Sequence, residues 1–225
     1  MKVASVFRRP QRSLPPEKCG QIFLRAGVGI DGDCHANPLS PRQVLLVSTG
    51  AYKSCDVPPG SLRENILIDV KNLRLSSGSR VRVGSDAVLR ISFQCEPCGR
   101  LNRVRPRLSH DIRDMRGYLA RVVQGGAIKP GDRLQIETEV FRPFPDYWKD
   151  RVIEIVHMLP ANHVVSYARL AELAGVPKAF CRVFPRLLRS QSDLPWQRVV
   201  PAHQLSTGGN ASQLPTWVGD AVFEE

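Results

Sequence analysis

Apolar and polar residues alternate over the first part of the chain, whereas beyond Asp146 the apolar positions recur at helical spacing, so strands are predicted first and helices afterwards. Residues 1–9 read as a strand around Val3 and Val6, and Gln43 to Ser48 as a short apolar strand. Arg80 to Val83 alternates strictly. Gly84-Ser85-Asp86 turns the chain into a further strand, Ala87 to Phe93. Gly117 to Val123 and Ile128 to Ile136 complete the set, joined through glycine-containing turns. Six or more short strands with such turns predict a closed or nearly closed mixed barrel.

The periodicity changes at Phe141-Arg142-Pro143-Phe144-Pro145-Asp146, where prolines interrupt any regular element. We therefore expect two domains, residues 1–142 and 147–225, joined by a linker at 143–146. Val152, Ile155, Val156 and Leu159 form one helical stripe. Ser166 caps the next helix, with Leu170, Leu173 and Ala174 inward and Gly175 at its end. A helix from Pro177 follows, through Phe180, Val183, Phe184, Leu187 and Leu188, with Pro185 expected to kink or shorten it. The fold class predicted for this half is a mainly α, helix-turn-helix (winged-helix-like) domain. Ser206 to Ser212 reads as a glycine- and serine-rich loop, and Leu214 to Phe223 as a terminal helix or packed tail with Trp217 in the core.

Composition changes this picture mainly through charge. The chain has 225 residues and a formal charge of +11. Residues 1–145 hold 24 lysines and arginines against 13 acids, and residues 146–225 hold 8 of each. The excess is thus confined to the first domain, where 19 of the 24 are arginines. A planar guanidinium fork matches phosphate oxygens, so a phosphate-bearing ligand is one expectation, and non-specific nucleic-acid binding or solubility are others. No apolar run reaches the length of a membrane span and no signal-peptide pattern opens the chain, which predicts a cytoplasmic protein without a membrane partner.

Of six cysteines only Cys95 and Cys98 are closely spaced, and one such pair is short of the four ligands a structural zinc requires. They follow directly on a predicted strand, with Arg100, Arg103, Arg105 and Arg107 behind them as a basic rim. A strand-end thiol in a positive field is a candidate for thiolate chemistry, with Cys95 as a candidate resolving partner.

Gly29-Ile30-Asp31-Gly32-Asp33 with His35, the group Gly60, Leu62 and Glu64-Asn65, the pair Pro97-Cys98, and Arg116-Gly117 followed by Gly126, Ile128 and Gly131-Asp132 together resemble the MOSC domain. That domain is a β-barrel module with short helices, found in molybdenum cofactor sulfurases and related reductases. The resemblance implies that Cys98 is the catalytic residue that carries sulfur or contacts the metal. It further implies that Asp33, His35, Asn65, Arg100 and Arg116 join Cys98 in binding a molybdenum cofactor (molybdopterin), with the neighbouring basic residues holding the pterin phosphate. Nothing in it calls for pyridoxal phosphate.

The second half resembles the DNA-binding domain of O6-alkylguanine-DNA alkyltransferases, and more closely the alkyltransferase-like proteins. The resemblance rests on Ser166-Tyr167-Ala168, Leu170-Ala171, Gly175-Val176-Pro177, Cys181-Arg182 and Pro195-Trp196-Gln197-Arg198-Val199-Val200. Trp196 stands where the family's transferases have the alkyl-accepting cysteine, and Gln197 where they have the activating histidine. An indole is no thiolate and an amide no useful base, so dealkylation is not expected. The resemblance implies double-stranded DNA with a modified guanine as partner, read by nucleotide flipping, with Tyr167, Arg182, Arg186, Trp196, Gln197 and Arg198 at the interface. Ala168, Pro185, Pro201 and Gln204 depart from the family pattern, which puts the outer loop of the pocket in question. Two further readings stand beside a two-module protein: a pure damage sensor that recruits a DNA-repair partner over a structural barrel, and a cofactor sulfur-transfer or reductase protein without lesion specificity.

Overall fold

The computed structural model describes residues 1–205 and 214–223. The chain divides into two compact units, Met1–Phe144 and Pro145–Glu225.

The first unit is built on strands β1 (Lys2–Arg8), β2 (Glu17–Cys19), β3 (Ile22–Arg25), β4 (Gly29–Ile30), β5 (Val44–Ser48), β6 (Ile66–Asp69), β7 (Arg80–Val83), β8 (Ala87–Gln94), β9 (Tyr118–Gln124), β10 (Gly126–Ile128) and β11 (Leu134–Glu137). Eight of them form one sheet in the order β11-β7-β8-β9-β5-β6-β1-β2, and β10-β3-β4 form a smaller one. Only β5 and β6 run parallel within the large sheet, which makes it mixed as expected. The sheet curls until the start of β1 meets the approach to β11. Lys2 bridges Arg133, and the Val3 amide donates to the Asp132 carbonyl at 2.8 Å.

Side-chain alternation explains the curl's interior. Val3, Val6, Leu46, Ile66, Ile68, Val81, Val83, Leu89, Ile91 and Val122 point into one core. Between them Arg80 and Arg82 face outward and both meet Glu137, at 3.2 and 3.1 Å. β5 is buried at every position, because helix α1 (Thr49–Cys55) follows it and its second face is covered too. Ser48 caps α1 by accepting the Ala51 amide at 3.2 Å. A 3₁₀ turn at Gly99–Arg103 and the short α2 (Leu108–Asp111) occupy the long connection between β8 and β9. The strand expected at Ile128 to Ile136 is broken into β10 and β11, because Pro130 and Gly131 (φ 92°) interrupt it.

In the second unit α3 (Trp148–His157) buries Val152, Ile155 and Val156, matching the predicted stripe, and also Arg151, which is fully buried. The Arg151 guanidinium donates to the carbonyls of Ala174 (2.9 Å), Pro145 (3.2 Å) and Asp146 (2.5 Å), so one cation closes three backbone acceptors. Strand β12 (Val165–Ser166) leads directly into α4 (Tyr167–Leu173), and the Ser166 hydroxyl accepts the Arg169 amide at 3.1 Å as anticipated.

The helix expected from Pro177 does not form as one element. A 3₁₀ turn at Lys178–Arg182 is followed by a separate six-residue helix, α5 (Phe184–Arg189). Pro185 is the reason. With no amide hydrogen it fits the first turn of a helix and not its interior, so a new helix begins around it. A regular helix-turn-helix is accordingly not evident. Strand β13 (Val199–Val200) pairs in parallel with β12, and Val164 bridges Thr216, which seats Trp217 in the core. The tail carries a 3₁₀ turn at Asp220–Phe223, and the loop expected at Ser206 to Ser212 lies outside the described residues. No helix among the described residues is long and apolar enough to cross a membrane.

Candidate functional site

A cavity of about 510 Å³ opens in the first unit, within the size range of small-molecule sites. Its wall includes Arg9, Arg12, Arg42, Arg63, Arg100, Arg103 and Arg116, together with His35, Asn65 and Cys98, and no carboxylate. Seven guanidiniums surround this concavity, and three loop systems bring His35, Asn65 and Cys98 to it.

The first is the turn after β4. Gly32 (φ 70°) reverses the chain so that Asp33 points inward, where it is 6 % exposed. Its carboxylate accepts from the Arg9 amide (2.8 Å), the His35 amide (2.9 Å), His35 Nδ1 (2.9 Å) and Asn65 Nδ2 (3.0 Å). With Nδ1 donating, His35 offers Nε2 as acceptor to Arg9 Nη2 at 2.5 Å. Burial raises the Asp33 carboxyl, but the hydrogen bonds from His35 and Arg9 outweigh it and hold the group below its ordinary value of 3.8. A depressed carboxyl adds stability above its unfolded-state pKa and loses it as the pH falls through the folded-state value. Urea unfolding is therefore expected to show the stability gap between the natural chain and Asp33→Asn constant from about pH 7 to 5 and shrinking below about pH 4. Parallel pH profiles down to pH 3 would contradict this.

The second system is the loop before β6. Buried Glu64 accepts a short hydrogen bond from the buried Tyr52 hydroxyl and another from the half-buried Gly60 amide (2.8 Å). Burial pushes the Glu64 carboxyl up, and the Tyr52 hydrogen bond only partly opposes this. The strap fixes its neighbours on either side: Arg63 in a left-handed conformation (φ 61°) and Asn65, whose Oδ1 accepts the Leu45 amide at 3.0 Å.

The third is the connection after β8. Cys98 is exposed and precedes the 3₁₀ turn that carries Arg100 and Arg103. Cys95 is buried instead, with Arg42 Nη2 at 3.9 Å from its sulfur. Arg105 departs from the expected rim, since it binds the Cys55 carbonyl (3.1 Å) and Asp111 (2.7 Å). Arg116 closes the floor at 5 % exposure, beside Arg9 at 6 %. Among the described residues, Arg9 Nη1 and Arg116 Nε and Nη1 have no hydrogen-bond partner.

Of the residues expected from sequence, His35, Asn65, Cys98, Arg100 and Arg116 line this cavity together, and Asp33 lies behind His35 and Asn65 as their anchor. Arg9, Arg12, Arg42 and Arg63 were not singled out, because a loop arginine carries no local signal of direction. Buried donors without partners call for acceptors, so the donor set fits an oxyanion such as a phosphate. Asp33, Cys34 and His35 also bring ligand atoms within 4.8 Å of one another. The Arg9 guanidinium on His35 Nε2 and the wall of like charge oppose a free cation there.

In the second unit, Tyr167 opens α4 with its ring 6.3 Å from that of Phe184, and its carbonyl accepts from the Cys181 thiol at 3.3 Å. Trp196 begins a 3₁₀ turn before β13, half-buried, with the Arg189 guanidinium over its ring at 5.0 Å. Burial pushes the Tyr167 phenol up, and Arg189 opposes it, so Arg189 reaches the environment of both aromatics. Arg182, Arg186 and Gln197 are exposed. Arg198 is turned inward, with Nη1 donating to the carbonyls of Pro160 (2.5 Å) and His163 (3.4 Å), which commits it to holding the turn after α3.

Residues 35–135 match the MOSC domain family. A 60-residue stretch is 42% identical to the DNA base-flipping protein of Escherichia coli K12 and equally to that of Shigella flexneri, covering 26% of this chain. The match spans about half the length of those relatives, 46%. The crystal structure of the YuaD protein from Bacillus subtilis superposes with a TM-score of 0.52 at 22% identity, over 60% of this chain and 94% of that one, which is a likeness of fold. The curled mixed sheet, the family match and the shared fold lead to one assignment: residues 35–135 of this chain form a MOSC domain.

Proposed function

We propose that this is a two-module protein, in which the MOSC domain holds a molybdenum cofactor or handles sulfur through Cys98, and the second unit binds O6-alkylguanine or a related damaged base in DNA. The observation that carries the first half is the cavity wall: seven arginines, two of them more than nine-tenths buried with unpartnered N–H groups, beside an exposed thiol. Arg9 and Arg116 would hold the cofactor phosphate, with Arg63 and Arg100 above them. Asp33 orients His35 and Asn65 at the wall, and Cys98 carries sulfur or meets the metal at the mouth. When bound, such a cofactor supplies two-electron oxygen- or sulfur-transfer chemistry at molybdenum. A purely structural barrel would leave those buried donors without any acceptor, at a cost of about 1–3 kcal/mol each.

For the second unit, Tyr167 assists rotation of the target nucleotide, Arg182 and Arg186 meet the duplex from the surface, and Trp196 forms the pocket wall. Gln197 stands at the position of the missing base, and no thiol stands at 196, so the lesion is read without being removed. Extruding a base costs a few kcal/mol, least where a lesion already weakens pairing, and an aromatic wall offsets part of it. Arg198 supports this pocket through the backbone of Pro160 and His163 and is not assigned to DNA.

At fixed salt, a duplex with one O6-methylguanine is expected to bind at least about tenfold more tightly than the unmodified duplex, with Tyr167→Ala or Arg182→Ala removing most of that ratio. Equal affinity for both duplexes, lost together as salt rises, would instead show non-specific attraction to a basic surface.

A further inference from the structure

Arg189 is the last residue of α5 and is exposed, yet its guanidinium lies 5.0 Å from the centre of the Trp196 ring. Other arginines of this unit are committed elsewhere: Arg151 and Arg198 to carbonyls, Arg169 to Glu172 at 3.1 Å. Arg189 makes no hydrogen bond or ion pair among the described residues, so its only partner there is a π face. That contact uses none of its N–H groups in a hydrogen bond among the described residues, and a guanidinium fork matches a carboxylate. It also leaves, beside Trp196, a positive charge with no ion pair among the described residues, and that charge opposes the rise of the Tyr167 phenol.

We infer that Arg189 is the charge-selecting residue of this pocket, favouring an extruded guanine whose O6 substituent ends in a carboxylate over one with a neutral alkyl group, and rejecting a cationic N7-alkylguanine. The inference rests on the reading of the second unit as a reader of modified guanine, and it names the substrate class within that reading. A carboxylate on the substituent pairs with the guanidinium fork. A neutral methyl gains only contact with the indole, and a base that is itself cationic meets like charge at close range.

The test uses the full chain and four duplexes at about 0.15 M salt, identical except for one position holding guanine, O6-methylguanine, O6-carboxymethylguanine or N7-methylguanine. The natural protein is expected to bind O6-carboxymethylguanine about tenfold more tightly than O6-methylguanine, and N7-methylguanine no better than guanine. Arg189→Gln, at an exposed position, is expected to bring the carboxymethyl-to-methyl ratio to about one while keeping the preference for O6-methylguanine over guanine. If the natural protein shows no preference for O6-methylguanine over guanine, the underlying reading falls. If that preference holds but the carboxymethyl-to-methyl ratio is about one, or survives Arg189→Gln, the charge-selecting role is overturned.

Discussion

Arg116→Met is expected to leave the first unit at least as stable as in the natural chain and to weaken binding of inorganic pyrophosphate about a hundredfold. The two effects have one cause. Arg116 is 5 % exposed, and two of its nitrogens lack partners. It is a buried guanidinium with donors that no acceptor among the described residues meets. An apolar side chain of similar length removes unsatisfied donors that each cost about 1–3 kcal/mol, while the ligand loses a charge-assisted partner. One offset is expected: the Arg116 charge helps restrain the rise of the buried Glu64 carboxyl, so its loss raises that group further. A raised carboxyl takes stability away as the pH climbs through its folded-state pKa, so the gain is larger at pH 5 than at pH 8. Calorimetric titration and urea unfolding check the pair. Unchanged pyrophosphate affinity, or a loss of several kcal/mol in stability, would show that Arg116 is structural.

The neighbouring position is expected to respond in the opposite way. Gly117→Ala should destabilise the first unit by roughly 3–5 kcal/mol, enough to unfold a marginal domain. Gly117 has φ 91°, a left-handed conformation that L side chains rarely adopt. A Cβ there would meet the Leu46 carbonyl oxygen at 2.2 Å and Val47 Cγ2 at 2.8 Å, and the carbonyl belongs to the central strand β5, which has no room to shift. The residue's own carbonyl accepts the Cys95 amide at 2.9 Å, so the strain passes to the loop that presents Cys98. Glycine is thus required at the point where Arg116 enters the floor of the cavity and β9 begins. Unfolding midpoints of the two chains check this, and a difference under about 1 kcal/mol would mean the backbone yields more easily than this packing implies.

Much of the MOSC fold and its site was legible in the sequence, for reasons that separate by mechanism. Strict alternation at Arg80 to Val83 and the mainly apolar run at Gln43 to Ser48 report burial directly; the first forms the strand it predicts, and the second forms one a residue shorter, from Val44. The Asp33, His35 and Asn65 cluster was legible only through resemblance, since three polar residues so far apart have no periodicity to connect them. The loop arginines were legible as a charge excess but not as a wall. Which of them turn inward depends on three separate turns, and Arg105, at the same spacing as its neighbours, is drawn away by Asp111.

In the second unit, the stripe on α3 predicted its buried face but hid Arg151, because a cation can occupy an apolar stripe when carbonyls from other segments converge on it. Pro185 carried a correct warning whose outcome is a divided helix. Arg198, expected at the DNA, has one guanidinium nitrogen, Nη1, on two carbonyls. Arg189, which sits over Trp196, had no signal in sequence because their contact depends on how the chain turns between α5 and β13.

Of the two roles proposed for the arginine-walled cavity of the first unit, we favour retention of a molybdopterin-type cofactor beside Cys98 over sulfur handling without one. The most direct measurement is the molybdenum and pterin content of the full chain purified from a cofactor-competent host, alongside Arg116→Met. The account predicts metal and pterin together at close to one per natural chain and nearly none in the variant. A natural chain that emerges from such a host, folded and free of both, would contradict cofactor retention and leave sulfur handling at Cys98 as the role of the cavity.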